Sequence, residues 1–296
     1  VDARASEPQR DDGDLDLEKA FDALMPSCLN DSLYPMMRAF RSLKSTLRDI
    51  RRWRHATADF GSWAQVAADV LLLKLGVRVT NVERSIRLRS GKIVYYRLNK
   101  GDLWSMREVL LDQCYRFPGE IRPEVVLDLG GNIGLTSLWL DSCFQPRKLV
   151  AVEPFPENAR LARKNLTQSA GEALVIEAAA GSSDGFADFS AAVDSNRGAV
   201  SFGTDGKTRV VSMATLFKET GIGPRIDLLK VDIEGGEAEL FSKNLEWLDG
   251  VQNIIVEFHP DIIDVVPITR AICSRGFRHI LPGTVFHHNM EAFVRL

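Results

Sequence analysis

Residues 125–136, Val-Val-Leu-Asp-Leu-Gly-Gly-Asn-Ile-Gly-Leu-Thr, constrain this chain more than any other stretch. An apolar run of strand length ends at Asp128-Leu129, glycines follow at 130, 131 and 134, and Ile133, Leu135, Leu138 and Trp139 then recur at helical spacing. The pattern predicts a strand, a tight turn and a helix. Without a Cβ at Gly130, Gly131 and Gly134, the turn can take left-handed dihedrals. A ligand can also approach the backbone beside the N–H groups that begin a helix. Such a turn is suited to cradle a nucleotide, although a βαβ turn of this kind can also bind nothing.

Spacing narrows the choice of nucleotide. A dinucleotide fingerprint requires G-x-G-x-x-G, but Asn132 stands two residues after Gly130, and Gly131 and Gly134 lack the third glycine. An NAD(P)-dependent oxidoreductase is therefore the weaker alternative. The form D-x-G-x-N-x-G, from Asp128 to Gly134, resembles the first motif of class I methyltransferases that use S-adenosylmethionine. A second short strand, Val150-Ala151-Val152-Glu153-Pro154, ends in an acid one βαβ unit later, where Glu153 can hold both hydroxyls of a ribose. The expected cofactor contacts are Asp128, Gly130, Gly131, Asn132, Ile133, Gly134, Glu153, Pro154, Ala180 and Asp232. The small residues Ala178 to Gly181 leave room for a flat adenine.

With 296 residues the chain can bury one large core and carry an extension. A formal net charge of −3 provides no basic field for nucleic acid, so the expected partner is a small molecule or a glycan. Cys28, Cys114, Cys143 and Cys273 form no C-x-x-C pair, which fits reduced thiols and a cytoplasmic location. The longest apolar candidate, Val66 to Val77, is interrupted by Asp69 and Lys74, and the Asp- and Arg-rich start does not read as a signal peptide.

Along the chain, residues 1–18 are acidic with few apolar partners. From Pro35 to His55, Met36, Phe40, Leu43, Leu47 and Ile50 form an apolar stripe amid arginines. This basic amphipathic helix would pack on the body, pair with a second copy, or lie on an anionic membrane. A helix over Trp63–Leu75 completes an extension of residues 1–75, and the catalytic domain is expected over 76–296. That domain opens with a lead-in hairpin about Ser90-Gly91, a short helix at Trp104–Leu111, and Tyr115 close before the cradle. Strands then alternate with helices, which predicts a doubly wound, mostly parallel α/β sheet. Short strands are inserted at 186–189, 199–202 and 209–212, a helix is expected over Glu237–Leu248, and strands at 277–281, 284–287 and 292–296 form an antiparallel edge.

Three stretches together resemble the FkbM family of methyltransferases: V-V-L-D-L-G-G-N-I-G-L-T-S-L at 125–138, V-E-P-F-P-E-N-A-R-L from Val152, and L-L-K-V-D-I-E-G-G-E-A-E-L-F from Leu228 with I-V-E-F-H at Ile255–His259. The resemblance covers roughly Val79 to Leu296. It implies a Rossmann-like sheet of the seven-stranded type and S-adenosylmethionine-dependent methylation, usually of oxygen, on sugars, glycolipids or secondary metabolites.

Ligands in an open α/β sheet bind beyond the carboxyl ends of the strands, where Asp128, Glu153, Asp232, Glu234, Glu257 and His259 all fall. A hydroxyl acceptor is a poor nucleophile until a base takes its proton. His259 is the expected base, oriented by Asp232 or Glu257, with Glu234 and Tyr115 toward the acceptor. In the alternative, Asp232, Glu234, Glu257 and His259 hold a divalent metal; one histidine among scattered acids favours the metal-free form. Glu237 is expected only to cap its helix, and Lys230 to pair with an acid. A non-catalytic, membrane-recruited binder of the same cofactor is the remaining alternative.

Overall fold

The computed structural model describes residues 33–77, 82–191, 198–202, 207–223, 225–280 and 289–296. The acidic start, Cys28 and the strand expected at 284–287 lie outside the described residues. The chain divides into one unit ending at Arg48 and another from Asp49 to Leu296. What is described of the first is helical backbone from Leu33, the beginning of helix α1 (Leu33–Ala56).

The second unit starts earlier than the expected boundary at residue 75. Trp53, from the end of α1, and Val66, from α2 (Phe60–Lys74), are buried in its core. Arg52 also donates to Asp112 at 2.6 Å. Composition concealed this packing because the arginines around Trp53 dominate the local sequence.

Next comes an antiparallel hairpin of β1 (Glu83–Arg87) and β2 (Ile93–Arg97). Helix α3 (Lys100–Met106) is capped by the Asn99 side chain and runs into a π-helical turn, Arg107–Asp112. The Arg97 guanidinium donates twice to Asp102 and once to Asn158, so hairpin, α3 and the central domain are fastened together. Asn165 accepts from Tyr95 N at 2.7 Å and donates to Ile133 O at 2.7 Å, which ties the hairpin to the glycine turn.

The central elements follow as β3 (Val125–Leu129), α4 (Leu135–Phe144), β4 (Lys148–Glu153), α5 (Pro156–Leu166) and β5 (Glu172–Glu177). A four-stranded insert contains β6 (Ala179–Gly181), β7 (Gly185–Ala191), β8 (Gly198–Phe202) and β9 (Thr208–Ser212), in the order β6-β9-β7-β8. Then come α6 (Met213–Thr220), β10 (Leu228–Val231), α7 (Glu237–Leu240), β11 (Asn253–Glu257), α8 (Val265–Ser274), β12 (Phe277–Ile280) and β13 (Met290–Arg295). The seven-stranded sheet has the order β12-β13-β11-β10-β3-β4-β5. Its five strands from β11 to β5 are parallel, while β13 pairs antiparallel with both β11 and β12.

Every residue of β3 and β4 is buried, as expected of central parallel strands covered on both faces. Alternation divides them between two cores. Val126 and Leu149 join Trp53, Tyr96, Leu138 and Leu161 on one face, whereas Leu127, Leu129 and Val150 join Leu216, Leu240, Ile268 and Ile272 on the other. The sequence order of strands reverses between β3 and β10, which makes their carboxyl ends a topological switch point and the natural place for a ligand crevice.

The expected helix over Glu237–Leu248 is interrupted: α7 ends at Leu240, and a 3₁₀ turn resumes at Leu245–Gly250. Asn244 between them is left-handed at φ 56°, and its side chain donates to Ser182 O at 3.1 Å. A hydrogen bond to the insert thus outweighs the local helical periodicity.

Candidate active site

The glycine turn is fixed first by its own backbone. Gly130 N and Gly131 N both donate to Val152 O at 2.9 Å. Gly130 has φ +81°, and a Cβ built there would stand 1.7 Å from the Asp232 carbonyl oxygen. Glycine is required here so that the loops after β3 and β10 can touch across the switch point. Gly134 is also left-handed, and a Cβ there would meet Ala162 Cα at 2.9 Å.

Glu153, 4% exposed at the end of β4, joins this turn to the next. Its carboxylate accepts from Asn132 N at 2.8 Å, Phe155 N at 3.0 Å and the Asn158 amide at 3.3 Å. Burial raises its pKa to about 7, against the opposing effect of those hydrogen bonds. The expected cradle and ribose acid are therefore adjacent. The Ala178 N–H donates to Glu153 O at 3.2 Å, which brings the small-residue strand containing Ala180 alongside. Ile133 is wholly buried in the core, so only its backbone is available to the cradle. Pro154 lies in the turn between β4 and α5, half-buried.

Asp128 does not face the crevice. Fully buried, it accepts from Ser137 Oγ at 2.6 Å and pairs with Lys230 Nζ at 3.0 Å. Lys230 in turn donates to Gly130 O at 2.6 Å. Burial works against its ammonium, but the charges of Asp128 and Asp232 prevail and raise its pKa. Asp128 thus acts on the cradle through Lys230, a link that the sequence registered only as a lysine paired with some acid.

Beyond β10 and β11 the other expected residues converge. Tyr115 Oη stands 2.7 Å from Asp232 Oδ2 and 3.0 Å from Glu257 Oε2. A phenol has one proton to donate, so sharing it between two ionised carboxylates is unfavourable. Burial and the Asp232 charge raise the Glu257 pKa to about 7, against the hydrogen bond it accepts from Tyr115. Burial and both carboxylates also hold the Tyr115 pKa well above 10.

His259 completes the cluster. Its Nδ1 is 3.1 Å from Glu237 Oε1, and its Nε2 is 3.3 Å from Glu234 Oε2 and 3.8 Å from Asp232 Oδ1. Burial alone would lower its pKa, but Glu237, Asp232 and Glu234 overcome this and raise it to about 9. Burial and the Asp232 charge likewise raise Glu234 to about 8. Glu237, read in the sequence as a helix cap, is fully buried behind the imidazole and also accepts from Ile233 N at 3.1 Å. The sequence also offered no signal for Glu108. Burial, with the charges of Asp232 and Asp112, raises its carboxyl to about 7, and Trp104 Nε1 donates to it at 2.5 Å.

The residues present fit an adenosyl cofactor. The cradle lies at the switch point beside a buried carboxylate, and the buried Asn132 Oδ1 has no hydrogen-bond partner. Among the described residues, no helix is long and apolar enough to cross a membrane.

Comparisons with known proteins bear on the family of the chain. Residues 128–279 match the model of the methyltransferase FkbM domain. The hexuronic acid methyltransferase AglP of Haloferax volcanii is 26% identical over 140 residues, covering 47% of this chain and 57% of that protein. Among solved structures, M. jannaschii TYW2 in complex with AdoMet gives a TM-score of 0.38 at 12% identity, covering 74% of this chain and 90% of that one. The precorrin-6y C5,15-methyltransferase of Geobacter metallireducens gives 0.35 at 13%, covering 61% and 82%. The family match spans the glycine turn, Glu153 and the Asp232–His259 cluster, and displaces the oxidoreductase alternative: the chain belongs to the FkbM family of methyltransferases, with S-adenosylmethionine as its methyl donor.

Proposed function

We propose that this chain methylates a hydroxyl oxygen of a sugar-type acceptor. The observation that carries the proposal is the meeting, at one switch point, of the glycine cradle with the Tyr115, Asp232, Glu257 and His259 cluster, through the contact of Gly130 with the Asp232 carbonyl. The hexuronic acid acceptor in the relative's name supports a sugar, although that relative is matched over only 57% of its length.

When bound, the cofactor supplies an electrophilic methyl group on a sulfonium. Glu153 would hold the ribose hydroxyls, with Gly130 to Gly134 and Pro154 along the cradle and Ala180 beside the adenine. Lys230 and Asp128 keep the Gly130 carbonyl in place. The surplus of carboxylates near Asp232 favours a cationic sulfonium electrostatically.

The acceptor must lose a proton as its oxygen attacks. His259 was the expected base, but with its pKa raised to about 9 the ring is an imidazolium at neutral pH and bonds to the carboxylates around it. Asp232 is the better-placed proton acceptor: Tyr115 fixes its Oδ2, and its Oδ1 lies toward His259. Glu234 and Tyr115 border the space for the acceptor.

The test is transfer of a labelled methyl group from S-adenosylmethionine to hexuronic acid glycosides, with the corresponding neutral hexosides in parallel. Label recovered as a methyl ether is the expected result. Label recovered only on nitrogen or carbon acceptors would overturn oxygen methylation.

A further inference from the structure

We propose that Asp232, Glu234 and His259 bind one divalent cation of the Mg²⁺ or Mn²⁺ class, which receives the acceptor hydroxyl; this deepens the methyl-transfer reading and rests on it. The three offer one ligand atom each, and all three atoms lie within 4.8 Å of one another. From His259 Nε2, Glu234 Oε2 is 3.3 Å and Asp232 Oδ1 is 3.8 Å away. Two ligands each about 2.1–2.2 Å from a common ion stand about 3.0 Å apart at a right angle and about 3.6 Å apart at a tetrahedral angle. The cluster therefore needs only small side-chain adjustments to close on an ion.

Glu237 supplies an independent observation. It is fully buried, its Oε1 faces His259 Nδ1 at 3.1 Å, and its Oε2 has no hydrogen-bond partner. A buried carboxylate with an idle oxygen is costly unless positive charge lies nearby. Lys230 is already engaged with Asp128 at 3.0 Å and with the Gly130 carbonyl at 2.6 Å. An ion on Nε2 keeps positive charge on the imidazole side of Glu237 when the ring gives up its proton. A carboxylate on the far nitrogen of a histidine is also the usual support of a metal-bound imidazole, fixing the tautomer that leaves Nε2 free.

Two carboxylate oxygens and one imidazole, without thiolate, suit a hard ion, and three protein ligands leave positions for water and an acceptor hydroxyl. The ion takes the place of a proton on Nε2 and lowers the pKa of the coordinated hydroxyl. With the ion bound, Asp232 serves as a ligand in place of its role as proton acceptor: the acceptor O–H bond breaks and its proton passes to bulk water. The oxygen's electron pair forms the new O–CH₃ bond, while the pair of the broken S–CH₃ bond stays on sulfur.

The experiment titrates the chelator-treated full chain with MnCl₂, following free Mn²⁺ by electron paramagnetic resonance. The expected result is one saturable Mn²⁺ per chain, weakened at least about tenfold by Asp232→Asn and by Glu234→Gln, the latter a conservative change on a partly exposed turn. Glu153→Gln should leave Mn²⁺ affinity unchanged. Absence of saturable binding, or binding that neither Asp232→Asn nor Glu234→Gln alters, would overturn the site. Calorimetry with S-adenosylhomocysteine on the same preparation separates the two proposals: adenosyl binding without Mn²⁺ discards the metal alone, and Mn²⁺ binding without adenosyl binding keeps the site and discards the methyl-transfer reading.

Discussion

Replacing Glu153 by Gln should make the protein more stable and less able to bind its cofactor, with the gain in stability depending on pH. Glu153 is 4% exposed, and burial raises its pKa from 4.5 to about 7. A raised carboxyl favours folding below the unfolded value, and that advantage is lost as pH climbs through about 7. Above this the folded state carries a buried charge whose cost, from a shift of this size, is about 3 kcal/mol. The Gln amide avoids that cost, but its NH₂ must face one of the backbone donors, Asn132 N or Phe155 N, that the carboxylate now accepts. A lost and mismatched hydrogen bond costs about 1–2 kcal/mol at any pH. The variant should therefore gain about 1–2 kcal/mol at pH 8.5 and lose about as much at pH 4.5, a swing of about 3 kcal/mol. Chemical denaturation of both proteins at the two pH values measures the swing. Calorimetry at pH 8.5 should show affinity for S-adenosylhomocysteine falling about tenfold to a hundredfold, as expected when hydrogen bonds to a charged group are lost. A stability difference that is the same at both pH values would refute the buried-charge argument, and unchanged affinity would refute the ribose assignment.

Lys230→Met leaves Asp128 buried without its countercharge and should cost about 3–5 kcal/mol in chemical denaturation; a loss below about 1 kcal/mol would contradict the role given to that pair. Gly130→Ala places a Cβ 1.7 Å from the Asp232 carbonyl and should abolish soluble folded protein or, failing that, cofactor binding, as judged by circular dichroism and calorimetry. Tyr115→Phe removes the donor to Asp232 while keeping the ring, so turnover should drop about tenfold or more with S-adenosylhomocysteine affinity unchanged. An equal loss of both would place Tyr115 on the cofactor side instead.

The sequence was most informative where one requirement dominated. The Val125–Leu129 run is buried at every position, and the glycines after it satisfy a backbone contact that no side chain could accommodate. The place of Glu153 beside the turn was legible because a strand end fixes where its acid must lie. Roles set by long-range contact were not legible. Glu237 looked like a helix cap because its partner His259 lies in another loop, and the position of Asp128 does not reveal the buried Lys230 beside it. The raised pKa of His259 likewise depends on three carboxylates gathered by folding. The break after Leu240 escaped notice because the competing partner of Asn244 is the Ser182 carbonyl in the insert. The π-helical turn at Arg107–Asp112 has no counterpart in apolar periodicity, and Glu108 stayed hidden with it.

The most direct test of the central claim is a crystal structure of the protein with S-adenosylhomocysteine. The account places the ribose hydroxyls within hydrogen-bonding distance of the Glu153 carboxylate, with the thioether sulfur between the Gly130–Gly134 turn and Asp232. Density for the ligand anywhere else, or a ribose held without Glu153, would contradict it.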